Sequence, residues 1–181
     1  MAEVFDGIDE RLAEWIAAQP LFFVATAPMS ADGHVNCSPK GLPGTFAVLD
    51  ENEVAYLDLT GSGAETIAHV KENGRIVIMF CAFTKRPQIV RLHGTARVVE
   101  AGSAEFSELA DQFAEYLGAR SIVRIAVDRV SDSCGYGVPA MEFVRERENL
   151  PLDHAKRGAD GLETYRQDNN TVSLDGLPAL P

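Results

Sequence analysis

Thr60, Gly61, Ser62 and Gly63 have the residue types and the spacing of an anion-binding turn. They follow an apolar stretch typical of a strand and precede a stretch with helical periodicity. The first backbone N–H groups of a helix lack intrahelical acceptors, so a glycine turn at that point can hold an anionic group. The hydroxyls of Thr60 and Ser62 would add donors. The alternative is purely structural: Ser62 and Glu65 have the spacing of a capping box, and the Glu65 carboxylate would repel a phosphate unless other donors occupied it.

The segment 36–41, with the sequence NCSPKG, is the second candidate for binding chemistry. If it is extended, Asn36, Ser38 and Lys40 alternate along the chain and point to the same face. An amide, a hydroxyl and an ammonium on one face would suit a phosphate or the polar edge of a ring. The same pattern also suits a solvated edge strand that leaves Lys40 in a loop.

Three further polar residues have ordinary structural explanations. Arg91 and His93 share the polar face of an otherwise apolar strand, which predicts either exposure or pairing with a neighbouring strand. We keep Arg91 as a candidate cofactor-binding residue. His69, on the helix after the glycine turn, is expected at the surface.

The cysteines and the known catalytic motifs exclude several function classes. Cys37, Cys81 and Cys134 are far apart and none belongs to a C-x-x-C pair, so neither a metal site nor a disulfide framework is expected. Nothing in the sequence places a base or a cation beside Cys134 in its Gly-Pro loop, and an inert turn is expected there rather than an active-site lip. The chain has no G-x-S-x-G, H-E-x-x-H or Walker pattern, so hydrolase, zinc-protease and P-loop chemistry lack support. Reduced thiols predict a cytoplasmic protein.

The chain length and the net charge limit the classes of binding partner that we expect. A chain of 181 residues can bury one domain core without disulfides or metal. Its formal net charge of −11 argues against nucleic-acid binding, which needs a basic face. No basic-then-apolar leader and no apolar run of about 18 residues is present, so we expect no membrane association.

The hydrophobic periodicity predicts a mostly antiparallel sheet with a few helices. Apolar positions from Ile8 to Gln19 predict an amphipathic helix that ends at Pro20. Further helices are expected from Glu65 to about Asn73 and from Ala104 to Leu117. Gly94 predicts a bulge or a close backbone approach within its strand. The predicted strands cover residues 21–27, 34–38, 46–49, 53–59, 75–83, 88–99 and 121–131, and the segment 39–43 between the second and third is expected to be irregular.

Six or seven short strands, with helices at only a few joints, indicate a mainly β (α+β) fold: an antiparallel split β-barrel with flanking helices. There is no G-x-G-x-x-G after the first strand, which argues against a parallel dinucleotide-binding sheet. We expect a barrel domain over residues 1–141 and a tail over 142–181. The tail is expected to carry one or two short helices, near 153–158 and 162–168, and to pack on the barrel or on a partner subunit.

Taken together, three segments resemble the pyridoxamine 5′-phosphate oxidase-like family of split-barrel FMN-binding proteins. They are ATAPMSADGHVNCSPKG, VAYLDLTGSGAETIAHVKENGRIVIMF and IVRLHGTARVV, between about Leu21 and Val130. The resemblance implies a homodimer with FMN in a groove between the subunits. It places Thr60 on an FMN-binding position. It also places Glu65 and Thr66 where the oxidases carry Arg-Lys for the flavin phosphate, a departure that implies a divergent branch with another substrate.

Three hypotheses follow. The first is an FMN-dependent oxidoreductase with an unknown small-molecule substrate, in which the flavin performs the hydride chemistry and no protein residue is assigned as catalytic. The second is a protein that binds a flavin or the deazaflavin F420 without turnover, or a haem-binding split barrel, since other branches of the family use those cofactors. The third is a structural barrel without a cofactor. The residues proposed to hold the cofactor are Asn36, Ser38, Lys40, Thr60, Gly61, Ser62, Glu65, Thr66 and Arg91.

Overall fold

The computed structural model describes residues 3–84 and 86–181. It contains one antiparallel sheet of eight strands and four helices, which confirms the predicted mainly β class. The elements, in chain order, are β1 (Val4–Phe5), α1 (Glu10–Ala17), β2 (Phe22–Thr26), β3 (Asn36–Lys40), β4 (Phe46–Asp50), β5 (Glu53–Leu59), α2 (Glu65–Asn73), β6 (Arg75–Cys81), β7 (Ile89–Glu100), α3 (Ala104–Ala110), β8 (Ala119–Ser133) and α4 (Asn149–Asn169).

The sheet curves around its largest apolar core cluster. Its strand order is β3-β2-β6-β7-β8-β5-β4, with β1 paired to β8. Phe46 lies on β4, the last strand of this order, and Phe22 lies on β2, the second strand, yet their rings are 5.0 Å apart. Both rings also pack against Phe80 on β6. Aromatic contacts between strands at or near the two ends of a sheet require the sheet to curve into a barrel.

Two strand features follow from glycine and proline. The register between β7 and β8 shifts at His93/Gly94, and a side chain at Gly94 would overlap the carbonyl oxygen of Ala126, which confirms the predicted bulge. Pro39 is paired with Phe23 inside β3, so the prediction of irregular structure from residue 39 was wrong at that point. β3 lies at the edge of the sheet, where proline is tolerated because a free N–H is not needed.

The helices differ from the predictions at their ends. α3 ends at Ala110. Phe113 lies in the irregular segment that follows and packs against a second core cluster, which contains Leu57 and Ile122. Leu117 is 56% exposed, so the extension of this helix to Leu117 was wrong. α4 consists of two helical parts joined at Gly158, whose φ of 67° only glycine adopts readily. Among the described helices, none combines the length and the hydropathy needed to cross a membrane.

The chain after β8 has two distinct parts. Residues from Cys134 to Glu148 form an extended arm without helix or strand. α4 and the residues after it then return to the barrel, where Leu177, Ala179 and Leu180 pack against an apolar face of α2. The carbonyl of Ala179 accepts a hydrogen bond of 2.6 Å from Lys71 Nζ. α4 and this C-terminal segment therefore cover the side of the barrel that carries the glycine turn.

Candidate functional site

The glycine turn lies between β5 and α2 and borders a pocket of about 240 Å³. The helical hydrogen bonds of α2 begin with Ala68 N–H donating to Ala64 O at 3.0 Å, so the amides before Ala68 have no acceptor within the helix. Six of the predicted cofactor-binding residues line the pocket together with residues that the sequence did not single out. The full lining is Ser38, Lys40, Leu59, Gly61, Ser62, Gly63, Glu65, Thr66 and Arg120.

A larger trough of about 530 Å³ adjoins this pocket and shares Lys40, Leu59 and Gly61 with it. Its volume is within the usual range of small-molecule sites. One wall is the barrel, and the other is formed by the arm and the start of α4, from Phe143 to Leu150. Apolar side chains dominate the lining, with charged groups from the arm at one side: Leu21, Leu42, Leu57, Leu59, Phe143 and Leu150, with Arg145, Glu146 and Arg147.

A buried carboxylate organises the cations of the pocket. Asp58 accepts hydrogen bonds from Lys40 Nζ at 2.8 Å and from Arg120 Nε at 2.7 Å. The side chains of Asp58 and Arg120 are 1% and 5% exposed. Burial alone would raise the pKa of the Asp58 carboxyl, but the charges of Lys40 and Arg120 outweigh that effect and hold its pKa below 3.8. Both cations are therefore already paired with an ionised carboxylate.

Arg120 also connects the pocket to the C-terminal part of the chain. Its Nη1 donates to Asn170 Oδ1 at 2.7 Å, and its Nη2 donates to the carbonyl of Gly63 at 2.9 Å. Asn170 Nδ2 in turn donates to the carbonyl of Gly61 at 3.0 Å. Arg120 on β8 and Asn170, the residue that directly follows α4, therefore hold the glycine turn in place together.

Thr60 is buried and its polar atoms bond to other parts of the protein. Its side chain is buried, and its hydroxyl donates to Gly118 O at 2.9 Å. Its carbonyl is 2.9 Å from His154 Nε2 on α4, and Arg166 Nη1 donates to its hydroxyl oxygen at 3.2 Å. Thr60 touches the trough but not the smaller pocket. It fixes the turn on which a ligand would rest.

One hydrogen-bonded group joins Asn36 to Ser38 and Thr66, two of the residues that line the pocket. Asn36 Nδ2 donates to Thr66 Oγ1 at 2.9 Å, and Ser38 Oγ donates to Asn36 Oδ1 at 2.9 Å. Asn36 Nδ2 also lies 3.3 Å from Thr26 Oγ1, which is 2.9 Å from His69 Nδ1. The alternation predicted for β3 places Asn36, Ser38 and Lys40 on one face of the strand, as expected.

Two sequence predictions at this helix were wrong. His69 is fully buried rather than at the surface. Burial lowers its pKa below 6.5, although Asp175, Glu72 and Glu65 oppose that shift. The capping box is not formed either, because Ala64 is the N-cap of α2 and no side chain bonds to the free amides there. The carboxylate of Glu65 instead lies against Gly63 and accepts a 3.3 Å hydrogen bond from Leu174 N–H.

Arg91 lies away from the pocket. Its Nη1 donates to Ser133 Oγ at 3.1 Å on the neighbouring strand, which agrees with cross-strand pairing. The residues that sequence reasoning missed are Asp58, Arg120, His154, Arg166 and Asn170. Asp58 carried a usable signal: an acidic residue in the apolar stretch YLDL needs a buried partner. The others come from distant parts of the chain and only the fold brings them to the turn.

Comparison with known proteins gives consistent matches. The family model described as pyridoxamine 5′-phosphate oxidase matches residues 8–134. The pyridoxamine 5′-phosphate oxidase family protein ustO of Aspergillus flavus is 38% identical over 192 aligned residues, which cover 97% of this chain and 77% of that protein.

Solved structures share the fold. HupZ of Group A Streptococcus superposes with a TM-score of 0.52 at 25% identity, over 68% of this chain and 91% of HupZ. A candidate pyridoxamine 5′-phosphate oxidase from Lactobacillus delbrueckii gives 0.53 at 22% identity, over 71% and 98%. The FAD binding protein of Mycobacterium smegmatis gives 0.50 at 14% identity, over 72% and 95%.

Proposed function

This chain belongs to the pyridoxamine 5′-phosphate oxidase family, and we propose that it is a flavin-binding oxidoreductase. The observation that carries the proposal is the pocket at the start of α2, which opens into an apolar trough at Lys40, Leu59 and Gly61. A flavin has the matching composition: a flat, largely apolar ring and a polar side chain. A protein of the same fold from Mycobacterium smegmatis is named for FAD binding, although at 14% identity that likeness concerns the fold alone.

The residues of the site fit a flavin in two parts. The apolar walls of the trough, including Leu57, Leu59 and Phe143, would hold the ring and exclude water from it. The free amides of α2 with the hydroxyls of Ser62 and Thr66 would bind the polar side chain. FMN is the form that the family resemblance implies. The donors suit its phosphate oxygens, but Lys40 and Arg120 are already paired with Asp58 and offer no free positive charge.

The redox chemistry would come from the flavin, whose ring accepts and releases a hydride or single electrons. The chain's own contribution is binding, orientation and water exclusion. Within the described residues, no group of three or more His, Cys, Asp or Glu side chains is placed to hold a metal ion. The substrate is a small molecule that reaches the trough beside the arm.

The proposal includes a homodimer. The extended arm exposes four large apolar side chains, at fractions between 58% and 84%: Tyr136, Met141, Phe143 and Val144. So many exposed apolar groups on one segment are typical of an interface. Phe143 also lines the trough, so a second copy that covered the arm would complete the wall of the cofactor site.

We also propose a cytoplasmic location. The support is that Cys37, Cys81 and Cys134 are all free thiols, two of them exposed. Exposed free thiols persist in a reducing compartment.

The oxidoreductase proposal is tested by anaerobic reduction. The purified protein is saturated with flavin, and NADH or NADPH is added while the flavin absorbance near 450 nm is followed. We expect bleaching with one of the two donors and recovery when oxygen is admitted. A flavin that binds saturably but is reduced by neither NADH nor NADPH would contradict this turnover and favour a carrier.

A further inference from the structure

The pocket at the start of α2 is surrounded by equal numbers of positive and negative groups. Lys40 and Arg120 supply two positive charges, and Asp58 and Glu65 supply two negative ones. Asp58 is buried beneath the pocket and binds both cations at 2.7–2.8 Å. A ligand anion that entered would have to compete with this carboxylate for each of them. The pocket is polar but has no net positive charge.

Glu65 occupies the position that suits an anion. Its carboxylate is folded back over the glycine turn, where it lies against Gly63 and accepts from Leu174 N–H at 3.3 Å. A negative charge beside the free amides at the start of α2 stabilises the helix through its dipole, without a direct hydrogen bond to them. Those amides are the same donors that would otherwise bind a ligand phosphate. The residue is half-buried, so its charge is only partly screened by water.

We propose that Glu65 is a specificity residue that makes the pocket discriminate against a doubly charged phosphate monoester. The inference rests on the proposed flavin binding and goes further, to the class of flavin. A phosphate monoester such as FMN carries about −1.5 to −2 charges on a single phosphate at neutral pH, whereas the diphosphate of FAD carries one charge on each of its two phosphates and riboflavin carries none. Ligand hydroxyls can donate to Glu65 and accept from the α2 amides, so a flavin end of low charge matches the pocket.

The test compares affinities within each variant. Wild-type protein, Glu65→Gln and Glu65→Lys are titrated with riboflavin, FMN and FAD at pH 8 and low salt, with flavin fluorescence as the readout. Glu72→Gln, at the opposite end of the same helix, is the matched control because it removes an equal charge about 10 Å away. Wild type is expected to bind FMN no more tightly than riboflavin. Glu65→Gln should raise the FMN-to-riboflavin affinity ratio about three- to tenfold, Glu65→Lys should raise it further, and the control should leave it unchanged.

The FMN-to-riboflavin affinity ratio distinguishes an effect on specificity from an effect on stability, because unfolding of a variant lowers the apparent affinities for both flavins equally. A purely helix-stabilising Glu65 would change the melting temperature and leave the ratio alone, which would overturn the inference. Wild-type protein that binds FMN about tenfold or more tightly than riboflavin would overturn it as well, while leaving the proposed function intact. If FAD binds as tightly as riboflavin, the pocket accepts a flavin side chain that carries a diphosphate. If FAD is excluded, the pocket accepts only the uncharged side chain of riboflavin. Binding of none of the three would refute the proposed function together with this inference.

Discussion

At the scale of single residues, the site depends on the buried carboxylate of Asp58. Lys40, on the edge strand β3, and Arg120, on β8, both bond to it. A buried charge that loses its partner costs much more than a surface pair contributes. Asp58 therefore determines the stability of the pocket as well as its charge.

We predict that Asp58→Asn destabilises the protein by about 3–5 kcal/mol, because it leaves two cations close together with no counter-charge. The measurement is urea denaturation at pH 7. The control is Asp153→Asn, which breaks an exposed, solvent-screened pair with Arg157 and should change the stability far less. Equal effects of the two substitutions would show that the buried trio does not stabilise the fold.

His69 provides a pH prediction. Its pKa is lowered by burial, so the unfolded chain takes up a proton near pH 6.5 that the folded chain does not. The free energy of unfolding is therefore largest above about pH 6.5 and decreases as the pH falls below it, by up to about 1.4 kcal/mol per pH unit. Denaturation curves at pH 7.5 and 5.5 measure this decrease.

His69→Gln should reduce that pH dependence. Thr26→Val, which removes the hydroxyl partner and keeps the histidine, should retain it, because burial is the larger cause of the shift. If His69→Gln keeps the full decrease in stability, another group is responsible for it.

At the scale of elements, α4 holds the glycine turn in place through close contacts. The ring of His154 packs directly on Gly118, and a side chain at that glycine would overlap Nδ1 and Cε1 of the ring. The same ring bonds to Thr60 O, and Arg166 bonds to Thr60 Oγ1. α4 therefore positions the turn without lining the smaller pocket.

We predict that Gly118→Ala displaces α4 from the turn while the sheet remains folded. Hydrogen exchange should show faster exchange of the α4 amides and unchanged protection of β5 to β8. The control is Gly137→Ala, whose new methyl group meets open space. Unchanged protection of α4 in Gly118→Ala would contradict the contact described here.

Sequence periodicity located most of the elements and six of the nine residues that line the pocket. Alternation brought Asn36, Ser38 and Lys40 to one face, because strand geometry is local. It could not reveal the Asp58–Arg120 pair, which joins residues 62 positions apart. His69 was misplaced because helical spacing does not show which face of α2 packs on β2, where Thr26 Oγ1 lies 2.9 Å from His69 Nδ1. The alternative Ser62–Glu65 capping box is not formed, because Ala64 is the N-cap of α2 and the Glu65 carboxylate turns back over Gly63.

At the scale of the whole molecule, the exposed arm predicts self-association. Wild-type protein should sediment as a dimer, since its four exposed apolar side chains would otherwise remain in water. Replacing Tyr136 and Val144 by Ser should shift the equilibrium towards monomer by about tenfold or more. Leu174→Ser, at another exposed apolar position outside the arm, is the control. A wild-type monomer at high concentration would contradict the proposed dimer.

The most direct test of flavin binding is a fluorescence titration of wild-type protein and Gly61→Val with riboflavin, FMN and FAD. Gly61 borders both the pocket and the trough, and a Cβ there would meet only Leu59 O at 3.8 Å. A valine would therefore fill ligand space without a clash inside the fold. Ala31→Val, on an exposed turn that lines neither cavity and lies outside the arm, is the control.

We predict saturable flavin binding by wild type and by Ala31→Val, and a loss of about tenfold or more in affinity for Gly61→Val. Undiminished binding by Gly61→Val would show that the flavin lies elsewhere. No binding by the wild type would contradict the central claim.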